Sequence, residues 1–314
     1  PGGSYETTVH IVAYRDVVAG KKMISAYRLN DDKSLFAYDA FEPNVPVSSE
    51  ELHPPAAGAA WTFSNSDPVP ITLTHERILV DATVNGVGGR FILDTGADGI
   101  VFDDEFADRV KAPALHGSTE AQTLRGAVPT RVRSVRSIAL GGATLHNVLV
   151  YSQDFRAHDY RGLDWKGYDG LIGYDLFAGA VVKLDVYGSK LTILDSSTDV
   201  TNTRGLALIV DLSQGVPAIP MMLNKSIAVN AMLDTGNPGI VIISRDIIKK
   251  YHVKIMGCGN LDSLTIGPIT YADQAACEWG FPSNDVLLGY DFLKHFDYVF
   301  DYPHGRMFMT PNKN

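Results

Sequence analysis

Cysteine is scarce in this chain, with two in 314 residues, Cys258 and Cys277. Two cysteines cannot make a structural zinc set. They fit either one disulfide in an exported protein or two buried thiols in a cytosolic one. Positive charge is also in short supply, with 27 Lys and Arg against 36 Asp and Glu and a net charge of −9. No basic stripe is left to neutralise phosphates, which excludes a nucleic-acid partner. No apolar run approaches the ~20 residues that span a bilayer, and no signal peptide is visible. The chain opens on Pro1-Gly2-Gly3-Ser4 without Met, which leaves room for an export signal or lipid anchor upstream. The nine histidines lack metal-ligand spacing, so neither a metal nor another cofactor is expected. A Ser-His-Asp site has no nucleophile elbow to support it. Gly86-Val87-Gly88-Gly89 has no helix after it and reads as a hairpin turn, not a phosphate loop.

What the chain does contain is an internal repeat. Phe91-Ile92-Leu93-Asp94-Thr95-Gly96 returns 140 residues later as Ala231-Met232-Leu233-Asp234-Thr235-Gly236. Each copy precedes a second apolar run, Ile100-Val101-Phe102 and Ile240-Val241-Ile242-Ile243. One such triplet is an ordinary turn, whereas two in the same context point to a shared purpose. Asp169-Gly170-Leu171-Ile172-Gly173-Tyr174-Asp175 is paralleled by Asp285-Val286-Leu287-Leu288-Gly289-Tyr290-Asp291 at an offset of 116. Between them, Ser137 to Gly141 is paralleled by Ser263 to Gly267 at an offset of 126. The shrinking offset means that the first copy carries extra residues after its Asp. They fall around residues 115–131, where a Gly-, Ser- and Thr-containing hairpin would close over a cleft.

The pattern between these landmarks is mostly strands. Residues 78–84 and 90–93, joined by Asn85-Gly86, read as a hairpin feeding Asp94. Residues 181–193 and 298–309 read as two further hairpins. Ser244 reads as the N-cap of a short helix over 245–251, with 102–110 at the matching place in the first copy. Residues 196–204 suit a linker. Residues 1–66 match neither copy. Strands are expected over 7–18 and 23–38, and the proline-rich stretch 42–55 reads as a connector. The expected domains are 1–66 (N-terminal β-rich extension), 67–199 (first lobe) and 200–314 (second lobe).

Each Asp falls in a loop between apolar strands. Gly96 and Gly236 allow a tight turn there, and the Thr95 and Thr235 hydroxyls can link the two loops. Gly173 and Gly289 are expected where the chain passes beneath each Asp loop and a Cβ would collide. If the lobes meet symmetrically, Asp94 and Asp234 come within ~3 Å, where two like charges cannot both ionise. One can then serve as base and the other as acid, holding a water that attacks an amide carbonyl. Asp175, Asp185, Asp291 and Asp301 also repeat and read as caps or turn formers.

On these motifs the chain resembles aspartic proteases of the pepsin/retropepsin superfamily, most of all the bacterial exported proteins with two retropepsin-like lobes in one chain. The resemblance covers residues 70–312. Asp94-Thr95-Gly96-Ala97-Asp98 is similar to the retroviral form, and Asp169-Gly170-Leu171-Ile172-Gly173 to the pepsin form. It implies a mainly β, bilobal fold with a pseudo-twofold axis and short helices. It also implies endopeptidase activity on peptide or protein substrates, in the periplasm or cell envelope, with a monomer sufficient. Asp94 and Asp234 would be the catalytic dyad, with Thr95, Gly96, Thr235 and Gly236 as supports and Ala97, Asp98 and Asn237 at the substrate. The chain departs from the families in places. Asn237-Pro238 stands where pepsins have Ser or Thr, although Asn237 could replace the lost hydroxyl on the outer carboxylate oxygen. Tyr174 and Tyr290 stand where retroviral enzymes have Arg, and the expected flap holds no Tyr. The other function class compatible with the fold is a silent peptide-binding or scaffold protein.

Overall fold

A computed structural model describes residues 9–18, 21–29, 36–37, 59–115, 119–123, 126–156, 167–280 and 286–312. The chain divides into two compact units, Pro1–Ala56 and Ala57–Asn314. In the first, β1 (Val9–Val18), β2 (Lys21–Leu29) and β3 (Phe36–Ala37) form an antiparallel sheet in that order. The strand expected over 7–18 is β1, whereas the one expected over 23–38 is two strands, β2 and β3, paired antiparallel with Ala26 opposite Ala37. The proline-rich 42–55 lies outside the described residues.

The second unit is mainly β. Its first half contains β4 (Ala60–Phe63), β5 (Val69–Leu73), β6 (Ile78–Val84), β7 (Val87–Leu93), β8 (Ile100–Asp103), β9 (Thr119–Thr123), β10 (Gly126–Leu140), β11 (Ala143–Gln153), β12 (Gly170–Ile172), β13 (Ala180–Asp185) and β14 (Lys190–Asp195). The β6–β7 hairpin forms as the sequence predicts. Asn85 (φ 48°) and Gly86 (φ 86°) both take positive φ, the primed turn that matches strand twist. Phe106 packs edge to face on both Phe91 and Phe102, and those two rings meet at a tilt, at centroid distances of 5.2–5.6 Å. Strand β4, from the N-terminal stretch 1–66, pairs antiparallel with β11.

The second half contains β15 (Leu206–Ile209), β16 (Ala218–Leu223), β17 (Ile227–Asp234), β18 (Val241–Ser244), β19 (Cys258–Ile266), β20 (Ile269–Trp279), β21 (Val286–Gly289), β22 (Phe296–Asp301) and β23 (Arg306–Pro311). Six of these close into a barrel in the order β16-β17-β21-β18-β20-β19. The first half runs β6-β7-β12-β8-β11-β10 and returns to β6 through Ile138↔Val84. The pairing senses match along both cycles. The β7–β12 and β17–β21 contacts are parallel, as are β8–β11 and β18–β20, and the rest are antiparallel. The repeat read in the sequence is therefore a repeat of strand topology.

Strand pairing and ring contacts help to join the halves. The hairpins β13–β14 and β22–β23 pair through β13 and β22, with Val181 opposite Asp301 and Leu184 opposite Tyr298. Phe177 of the first half meets Phe300 at 5.1 Å and Tyr302 at 5.5 Å, and Tyr174 stacks on Tyr302 at 6.3 Å. Helix α1 (Asp104–Arg109) is capped by Asp103, and the helix Arg245–Tyr251 by Ser244, whose hydroxyl accepts from Ile247 N at 3.3 Å. Cys258 and Cys277, cross-strand partners on β19 and β20, are joined by a disulfide. Among the described residues, no helix is long and apolar enough to cross a membrane.

Candidate active site

Asp94 leaves the end of β7, and Asp234 ends β17. Both strands lie in the interior of their cycles, so each Asp is delivered by a rigid, buried element. Thr95 and Thr235 then lock the two loops together reciprocally. Thr95 N donates to Thr235 Oγ1 at 3.0 Å, and Thr235 N donates to Thr95 Oγ1 at 3.1 Å. Each hydroxyl in turn donates across the junction at 2.7 Å, Thr95 to Leu233 O and Thr235 to Leu93 O. Both threonines are buried, so water cannot compete for these bonds.

The grip sets each carboxyl against the opposite glycine. A Cβ built on Gly96 would collide with the Asp234 carboxyl, and one on Gly236 with the Asp94 carboxyl. Only glycine admits this approach. Asp94 Oδ1 accepts from Gly96 N at 2.9 Å, and Asp234 Oδ1 accepts from Gly236 N at 3.0 Å. Beneath the loops, Cβ atoms on Gly173 and Gly289 would strike the carbonyl oxygens of Ala97 and Gly239, as the sequence leads one to expect. Tyr174 N donates to Ala97 O at 3.0 Å, and Tyr290 N to Asn237 O at 2.7 Å. Both tyrosines thus support the loops by their main chain, and Tyr290 also reaches the first half, its hydroxyl donating to Thr74 O at 3.1 Å.

Burial pushes both carboxyls above the ordinary aspartate range. For Asp94 the rise is opposed by its hydrogen bond with Asp234, by the N–H groups of Gly96 and Gly236 and by the charge of Arg77. Asp234 is pushed well above that range, first by burial, then by the charge of Asp94 and the hydrogen bond between them. The two ionise as one coupled system. Asp94 is half-buried and Asp234 is 7% exposed.

The remaining expected residues divide. Ala97 contributes its carbonyl to the support just described. Asp98 is exposed at the rim, beside Tyr151 and Asp175. Asn237 behaves differently from expectation. Its side-chain oxygen accepts from Gly239 N at 2.8 Å, and its backbone N–H donates to Asp234 Oδ1 at 2.9 Å. The turn draws the side chain back on itself, and the main-chain N–H joins that of Gly236 on the same Asp234 oxygen, Oδ1. Asp185 is a turn former, accepting from Gly188 N at 2.5 Å, and Asp175 accepts from Ile100 N at 3.2 Å. Neither Asp175 nor Asp291 caps its helix with its side chain. Asp301 is a fully buried carboxylate held by Arg306 Nε and His304 Nδ1, both at 2.6 Å. Sequence reasoning passed over Arg77, which is 4% exposed and acts electrostatically on Asp94. Its signal was the register of the hairpin that feeds Asp94.

Residues 80–176 match the Aspartyl protease family model. The match takes in Asp94-Thr95-Gly96, while Asp234-Thr235-Gly236 lies beyond it. None of the curated proteins matches the chain.

Proposed function

We propose that this protein is an aspartic endopeptidase of the two-lobed retropepsin-like kind, with Asp94 and Asp234 as its catalytic pair. The observation that carries this reading is the reciprocal Thr95–Thr235 grip, which sets two carboxyls from two copies of one topology against each other. We read residues 67–199 and 200–314 as the lobes, related by a pseudo-twofold axis, with residues 1–66 as an N-terminal extension that lends β4 to the first lobe.

The singly protonated pair holds a water between its members. The ionised carboxylate takes a proton from that water as its oxygen attacks the peptide carbonyl. The protonated partner gives its proton to the carbonyl oxygen. Collapse of the resulting diol, with protonation of the nitrogen, releases the amine and the new carboxyl. No metal and no covalent intermediate take part. The β9–β10 hairpin, where Thr130 pairs with Thr119 and Val128 with Ala121, supports the reading of a flap over the extended substrate. Ala97, Asp98 and Asn237 border the cleft. One chain holds both aspartates, so a monomer suffices. The disulfide supports an oxidising compartment such as the periplasm or cell envelope.

Profiling with a peptide library across pH tests the proposal. Wild type cleaves best in mildly acidic solution and is indifferent to chelators. Asp94→Asn and Asp234→Asn each lower the rate by about 10³-fold or more while keeping the fold, seen by circular dichroism. Equal cleavage by all three proteins would remove the enzyme reading.

A further inference from the structure

The strand that faces each Asp gives the two carboxyls different neighbours. In the first half Leu79 pairs with Ile92, and the same register carried two residues on sets Arg77 opposite Asp94. In the second half Ala218 pairs with Met232 and Leu233 N donates to Pro217 O, which sets Val216 opposite Asp234. The register is the same in both hairpins, since Arg77 and Asp94 each lie seven residues from the Val84–Val87 pair, and Val216 and Asp234 each lie seven from the Leu223–Ile227 pair, so only the side chain at the facing position differs. Residues directly opposite on adjacent strands share a face, with Cβ atoms about 5 Å apart. A buried guanidinium thus accompanies one aspartate. The other has Val216, packed with Met232 and Leu287.

We propose that Arg77 is a positioning residue of the dyad, holding Asp94 in its ionised form and so making Asp234 the member that carries the shared proton. The inference rests on Asp94 and Asp234 acting as the catalytic pair, and it assigns their roles. Asp94 takes the proton from water, and Asp234 donates to the carbonyl oxygen.

The backbone donors do not decide between the two carboxyls. Asp94 faces the N–H groups of Gly96 and Gly236, and Asp234 faces those of Gly236 and Asn237. A full charge on one side breaks that balance, because a cation within ~4–6 Å lowers a carboxyl's pKa by about 1–3 units. The apolar wall at Val216 acts in the opposite sense, favouring a neutral Asp234. The charged or titratable groups acting on Arg77 include Glu76, Tyr168 and Asp94, and those acting on Asp94 include Arg77 and Asp234. Glu76 is exposed, so solvent and salt weaken its pull on the guanidinium. Arg77 is nearly enclosed, so its field reaches Asp94 with little screening.

The test is a ¹³Cγ-aspartate NMR titration of wild type, Arg77→Met and Arg77→Lys, with Asp94→Asn and Asp234→Asn identifying the two signals. A thermal melt of each variant is recorded alongside. In wild type the Asp94 signal ionises at lower pH than that of Asp234. Arg77→Met raises the Asp94 midpoint by about one unit or more, and Arg77→Lys restores most of the shift. The acidic limb of kcat/KM moves with it. Asp234 ionising first in wild type would overturn the proposal, as would an unmoved Asp94 midpoint in folded Arg77→Met. If Arg77→Met does not fold, the wild-type order and the Arg77→Lys midpoint decide. The titration needs no substrate. A protein that titrates in this order yet cleaves no peptide would sink the protease reading and leave the charge assignment standing.

Discussion

Thr95 and Thr235 do two jobs with one hydroxyl each. Each accepts a backbone N–H from the other loop and donates to a carbonyl across the junction. Replacing Thr95 with Val keeps the shape and leaves Thr235 N and Leu233 O buried without that partner. The expected cost is about 2–4 kcal/mol, the penalty of two unsatisfied buried groups, read from urea unfolding. Thr95→Ser, which keeps the hydroxyl, should recover most of it. The carboxyls make a second prediction, about pH. Both folded values are raised, so the fold binds these protons more tightly than the unfolded chain does. Their contribution is therefore complete below the unfolded carboxyl value of about 3.9 and is lost as pH rises through the folded values. Asp234→Asn cannot titrate at this position. Its melting temperature should fall less than that of wild type over that rise, and parallel melting curves for the two proteins would refute the assignment of raised values.

The strands that carry the dyad were legible as elements. The Asn85-Gly86 turn, the apolar runs before each Asp and the Ser244 cap are local signals, set by φ preferences, alternation and orphan N–H groups within a few residues. The side chain of Asn237 was not legible, because whether it reaches Asp234 or closes its own turn depends on loop geometry that composition does not encode. The state of the two cysteines was likewise open in the sequence. It is settled by the register that sets Cys258 opposite Cys277. At this element a further expectation follows. The disulfide spans 19 residues, and a loop of that size restricts the unfolded chain by about 3 kcal/mol. Cys258→Ser with Cys277→Ser should lower stability by that order, measured by denaturant under non-reducing conditions. A reducing agent should lower wild-type stability by a similar amount and leave the double variant unchanged.

Across the whole second unit, stability and the setting of the two carboxyls depend on the same seam. The Thr grip closes it at the dyad, β13–β22 pairing closes it at the far side, and the Tyr174, Phe177, Phe300 and Tyr302 rings fill the space near that pairing. Asp301 lies on this seam, opposite Val181, with Arg306 and His304 on its two oxygens. Asp301→Asn should cost about 2 kcal/mol, the worth of hydrogen bonds to a charged group. Because the halves share the seam, unfolding should remain a single transition, followed by tryptophan fluorescence and by circular dichroism together. Two separated transitions would show that the halves are less tightly coupled than their shared sheet implies.

The chain by itself determined that there are two copies of one strand pattern, each presenting an Asp-Thr-Gly loop. That much follows from local spacing and apolar periodicity, which a linear sequence records. It left open what surrounds each carboxyl once the copies meet. Arg77 is 17 residues from Asp94 in the chain, and Thr95 is 140 from Thr235. Only tertiary structure brought these groups together, because strand pairing and the meeting of the two loops join residues that are far apart in the chain. Burial then did what no spacing can specify, since the proton affinity of a carboxyl is set by the solvent it has lost and the charge left beside it.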